Sequence, residues 1–214
     1  MKTLKLVGQV ALVAAVAVAT AGAQAFSLGG AANALGGGGG KGGADMVATQ
    51  TEVVLSFNVA LKGLSQAQAK MADALGLKEE AALAENNAKA FEAGSITGKD
   101  ELSSKISSSK EITDKILAKM AEKGKLDDAA KAKFGSSLLP YGVGVVAGVN
   151  GAKKAVESLE AATSDPMGIM KLGTLIFLAK EGPGLIKSFV EATGAISSYA
   201  SYQGISTSDL PPNL

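Results

Sequence analysis

Cysteine, histidine, tryptophan and arginine are all missing from this chain. Without histidine or cysteine there is no Ser-His-Asp or Cys-His nucleophile, no imidazole or thiolate metal site, no thiol redox chemistry and no disulfide. The lipid-carrying cysteine of a bacterial lipoprotein is excluded too. All 21 basic residues are lysines. Arginine is the planar fork that grips carboxylates, phosphates and guanine edges, so its absence argues against nucleotide and nucleic-acid recognition. The 21 lysines are balanced by 20 acidic residues. Losing a leader that contains Lys2 and Lys5 leaves 19 against 20, and such an interspersed, near-neutral surface does not steer polyanions. Aromatic residues make up only 4% of the chain. The core of a 214-residue chain with 47% hydrophobic content must therefore be built from Ala, Val, Leu, Ile and Met, side chains that suit closely packed helices.

The N-terminus has the three parts of a secretory signal peptide. Lys2 and Lys5 form a basic region, residues 6–18 an apolar run, and Ala21-Gly22-Ala23 or Ala23-Gln24-Ala25 a small-residue cleavage site. Cleavage after Ala25 gives a mature chain beginning at Phe26, exported to the periplasm or beyond. An uncleaved membrane anchor is the alternative, because apolar character persists as far as Ala25.

Residues 27–46, SLGGAANALGGGGGKGGADM, invite comparison with a phosphate loop. A G-x-x-x-x-G-K-[ST] motif ending at Gly40-Lys41 needs glycine at Leu35 and a hydroxyl at Gly42, and it has neither. GSITGK at 94–99 is one residue short and runs into Asp100, so it is better read as a helix stop, a turn and a new helix start, with Thr97 as a cap. No nucleotide or other cofactor is expected. Glycines as dense as those at 36–43 make residues 26–44 a flexible arm.

After that arm the pattern is helical. Val47, Gln50, Val54, Phe57, Leu61, Leu64, Gln68, Met71 and Leu75 recur in steps of three and four, a seam interrupted by two glutamines. A long helix is expected from about Asp45 to Gly76, with Gly63 inside it needing compensation from packing. A second helix should span 77–93, with Leu77, Ala81, Ala84, Ala88 and Phe91 on one stripe. A third should span 99–123, with Leu102, Ile106, Ile112, Ile116, Leu117 and Met120 inward and a solvated Lys/Ser/Glu face opposite. A fourth should start near Asp127 and kink or restart at Pro140, resuming through Val145, Val149, Ala152, Val156 and Leu159. Two more are expected at 167–180 and 185–202, separated by EGPG, and the last ten residues should fray. No strand alternation and no convincing internal repeat is evident. The expectation is one all-α domain over 45–204, a bundle of five to seven helices, with a signal peptide at 1–25, the arm at 26–44 and a disordered tail at 205–214.

Candidate chemistry is sparse. Ser107 and Lys110 have the S-x-x-K spacing of acyl-transfer enzymes, but they lie in a serine-rich face with no supporting motif. The pairs Glu79-Glu80 and Asp127-Asp128 fall in first turns, where acids complement the helix dipole. Tyr141, Tyr199 and Tyr202 are scattered. The chain is therefore not read as an enzyme. Two apolar stretches, 138–149 and 167–179, are more informative. Gly144 and Gly148 form G-x-x-x-G beside Val145 and Val149, a spacing that lets backbones approach closely. Met167, Met170, Ile176 and Phe177 mark the second stretch, and flexible methionines suit an irregular apolar ligand. Neither stretch reaches the roughly 20 apolar residues of a membrane span. These eight residues are expected to form a partner-binding or self-associating surface of an exported envelope protein, or else to line the site of a carrier for a small apolar ligand or lipid. The plainest reading of the same stretches is the central helices of the bundle, buried all round, and a membrane-active hairpin is another.

Overall fold

The computed structural model describes residues 41–94, 96, 98–122, 124–162 and 172–211, and, for 41–47 and 162, the backbone alone. The segments expected to be a leader and, for the most part, a flexible arm, together with Thr97, Met167 and Met170, lie outside the described residues. The described chain is entirely helical apart from turns and ends. It forms five helices: α1 (Lys41–Leu75), α2 (Lys78–Glu92), α3 (Lys99–Glu122), α4 (Asp128–Ala162) and α5 (Gly173–Gln203).

The heptad seam sets α1 at the centre, where it touches all four other helices. Its eight seam residues from Gln50 to Leu75 are buried, and so are Val53, Ala60, Ala67 and Ala72 around them. The helix starts at Lys41, four residues before Asp45, and takes in part of the expected arm. It stops as expected at Gly76, which adopts a left-handed φ of +80°. The Gly76 amide donates to the Asp73 carbonyl (3.1 Å) and the Leu77 amide to Ala72 (2.8 Å), the paired bonds that close a helix end.

α2 and α3 form a hairpin on one side of α1, with Ala84, Ala88, Phe91, Leu102, Ile112, Ile116 and Met120 turned inward. The polar face expected of α3 is only partly solvated. Ser109 and Thr113 are buried because Gln68 lies opposite them. Gln68 Nε2 donates to the Ser109 carbonyl and to Thr113 Oγ1 (2.7 Å each), and Ser109 Oγ donates to Gln68 Oε1 (3.0 Å). The side-chain polar atoms of Gln68, Ser109 and Thr113 thus have partners, which is the condition for burying them at little cost.

Two expected breaks are absent. α4 runs through Pro140 and α5 runs through Gly182-Pro183-Gly184, so the two C-terminal segments expected at 167–180 and 185–202 are one helix from Gly173. Pro140 has no N–H for the carbonyl of Ser136, and Lys70 Nζ donates to that oxygen instead, at 3.1 Å. At the second break Gly182 faces Phe57, where an added Cβ would stand 2.6 Å from the ring. The end is not frayed over 205–211. Leu210 is buried, and the Asp209 carbonyl lies against Gly142 so closely that a Cβ there would approach to 2.3 Å.

Two other glutamines join chain ends. Gln50 Oε1 accepts from the Leu175 amide (3.3 Å) in the first turn of α5. Gln203 accepts from Leu126 N (2.9 Å) and donates to the Gly124 carbonyl (3.0 Å), fixing the α3–α4 connection against the end of α5.

Candidate binding groove

α4 has three kinds of neighbour. One face crosses α1 with backbones nearly touching. A Cβ on Gly63 would meet the Pro140 carbonyl at 2.8 Å, and one on Gly144 would meet Leu64 N at 2.8 Å and Ala60 O at 2.9 Å. Further along, Gly151 packs on Phe57 and Ser56. Numbers rising on one helix and falling on the other make the pair antiparallel. The G-x-x-x-G spacing therefore serves an internal crossing, as it does in many close helix pairs.

This placement corrects the expected surface. Gly144 and Val145 are buried in the bundle, and Gly148 is covered by the Ile186 side chain of α5 and by Ala60. Ile176 and Phe177 are half-buried on α5. Val149, also half-buried, is the one described residue of the expected set that lines an open groove.

That groove lies between α4 and α5. It has a volume of about 660 Å³, in the range of small-molecule sites. Val149, Ala152 and Val156 form one wall, and Pro183, Ile186 and Val190 the other. Lys153, Glu157, Lys187 and Glu191 stand at its rims. The hollow follows from local sequence. Ala152, between Val149 and Val156, is the smallest of the lining residues and leaves space between the helices. Ile186 supplies the floor by folding over Gly148. The helices are antiparallel here too, with Tyr141 Oη donating to the Phe189 carbonyl at 2.6 Å.

α4 also carries an exposed apolar stripe on its outer side. Leu139, Val143 and Val146 are 56%, 52% and 41% exposed, at the three-and-four spacing of one helix face. The stretch 138–149 is thus not buried all round.

Ser107 and Lys110 of the S-x-x-K stretch are exposed on α3, and Ser109 between them is bound to Gln68. Asp127 Oδ1 accepts from Ala130 N (2.8 Å), capping α4. Glu80 pairs with Lys115 at 2.7 Å and Glu92 is paired with Lys62 at 2.8 Å. Those hydrogen bonds hold both carboxyls below their ordinary range, and the Glu80 bond raises Lys115. Burial pushes the Tyr141 phenol well above its usual value. Among the described residues no group of His, Cys, Asp or Glu could hold a metal ion. Nor is any helix among them long and apolar enough to cross a membrane.

The rim and wall residues of the groove, apart from Val149, are not distinguished in the sequence from any amphipathic helix. Their only signal is a shared local pattern, VNGAKKAVE at 149–157 and PGLIKSFVE at 183–191, with Lys, Val and Glu at matching places. Three identities in nine carry little weight until the two segments are seen to face each other. No protein-family model, curated protein or solved structure matches the chain.

Proposed function

We propose that this chain is an exported, non-enzymatic binding protein of the bacterial envelope, which holds a small apolar molecule in the groove between α4 and α5. The observation that carries this reading is the groove itself: two walls of Val, Ala, Pro and Ile, open to solvent and rimmed by charge. Export rests on the leader at 1–25, and the lack of His, Cys and Arg supports binding over catalysis. No cofactor, nucleotide or nucleic acid is part of this function. The test is titration of 1-decanol, followed by the methyl signals of Val149, Val156 and Val190. Decanol should shift those methyls, and Val190→Lys should weaken binding on the order of tenfold by setting a charge in the apolar wall. Methyl signals that do not respond to decanol would refute the reading. Mass measurement of the exported protein should find a chain beginning at Phe26.

A second reading, self-association or docking to an envelope partner, is favoured by the exposed Leu139, Val143 and Val146 stripe. Light scattering of wild type and Val143→Glu separates it from the first. An assembly that the substitution dissociates supports it, and a monomer in both cases removes the self-association form.

A further inference from the structure

The two walls of the groove are copies of one pattern. α4 contributes Val149, Ala152, Lys153, Val156 and Glu157, and α5 contributes Pro183, Ile186, Lys187, Val190 and Glu191, each counterpart 34 positions further along the chain. Because the helices are antiparallel, this repetition gives the groove an approximate two-fold axis. At 100° per residue, each lysine stands about 70° from the centre of its apolar wall and each glutamate about 110°. On each helix the lysine position therefore lies closer to the apolar wall than the glutamate position. With Gly148 against Ile186, the lysines lie on opposite walls, one on each side of the midpoint, roughly 9 Å apart along the groove at their Cα atoms.

Both lysines are available to a ligand. Lys153 makes no ion pair among the described residues, although Glu157 is one turn away. Lys187 reaches Glu191 only at 3.8 Å, with both side chains mostly exposed. In each pair lysine precedes glutamate, the weaker order for a pair four apart. An apolar chain with a negative end meets both features of the groove.

We propose that the groove takes an unbranched aliphatic carboxylate, with the chain along Val149 and Ile186, running toward Val190 when the carboxylate is at Lys153 and toward Val156 when it is at Lys187. Its approximate symmetry admits the ligand in either direction. This deepens the reading of the groove as an apolar-ligand site and rests on it.

The test compares decanoate below its micellar concentration, 1-decanol and decyltrimethylammonium on the whole protein at low salt. Decanoate should bind roughly three- to tenfold more tightly than decanol, the scale of one partly screened charge contact. Lys153→Gln and Lys187→Gln should each remove part of that preference, and the double variant all of it. Equal binding of decanoate and decanol by the wild type, or tighter binding of the ammonium compound, overturns the charge assignment and leaves the groove reading standing. Failure of both decanol and decanoate to bind overturns the two together.

Discussion

The two interfaces of α4 use small residues to opposite ends. Against α1, glycine faces glycine, and the helices approach until the Gly63 and Gly144 positions have no room for a methyl group. Against α5, the Ile186 side chain fills the space beside Gly148, but Ala152 lies between Val149 and Val156 on a wall facing Pro183 and Val190, and a groove of about 660 Å³ remains. Small side chains are permissive: they close an interface where the partner's backbone moves in or a larger side chain fills the space. The neighbour, not the residue, decides whether a small side chain becomes contact or cavity.

Phe57 stands where the two interfaces meet, between Gly151 of α4 and Gly182 of α5, and it is fully buried. Phe57→Ala should therefore show the largest effect, a loss of about 3–5 kcal/mol in urea unfolding. A loss under half of that would mean that α4 and α5 do not depend on this wedge. The next effect distinguishes the interfaces by sign. Gly144→Ala should destabilise by about 1–3 kcal/mol, since its Cβ would meet backbone atoms that can move only if the helices part. Gly184→Ala has open space around it and should gain up to about 1 kcal/mol from helix propensity. Two changes of the same sign would break the contrast.

The smallest effect is electrostatic and lies away from α4. Glu80 and Glu92 have lowered pKa values, so the stability they contribute is present above the ordinary carboxylate range and lost as pH falls through their lowered values. The contribution of Lys115, whose pKa is raised, is complete below the ordinary lysine range and lost as pH rises through the raised value. These pairs are largely exposed, and salt should mask them. Urea midpoints across pH should show shallower limbs for Lys115→Gln than for wild type, and the difference should vanish in high salt.

Much of the fold is legible in the sequence because it depends on local periodicity. The α1 seam, the α2 stripe and the stops at Gly76 and Gly94 are read directly from spacing and from glycine, both of which act within a turn or two. The groove is less legible. Val149 is marked by its neighbouring G-x-x-x-G, but Lys153, Val156, Lys187 and Val190 are ordinary positions until α4 and α5 are set side by side. Pro140 and EGPG mislead for a related reason. A helix breaker imposes a local penalty of about 3 kcal/mol for proline and about 1 for glycine, whereas what offsets it is distant in sequence. Lys70 reaches the freed Ser136 carbonyl across 66 positions, and Phe57 takes the space beside Gly182.

The sequence by itself determined that this chain is helical and that histidine, cysteine and arginine chemistry is closed to it. Composition and short-range periodicity suffice for that, since each is a property of residues within a turn of one another. Only the tertiary structure decided that α1 is central, that the helices run on through their breakers, that the G-x-x-x-G face is internal and that a groove opens on the other side of α4. Those outcomes depend on which side chain meets a given residue from another helix, and no local pattern contains that meeting.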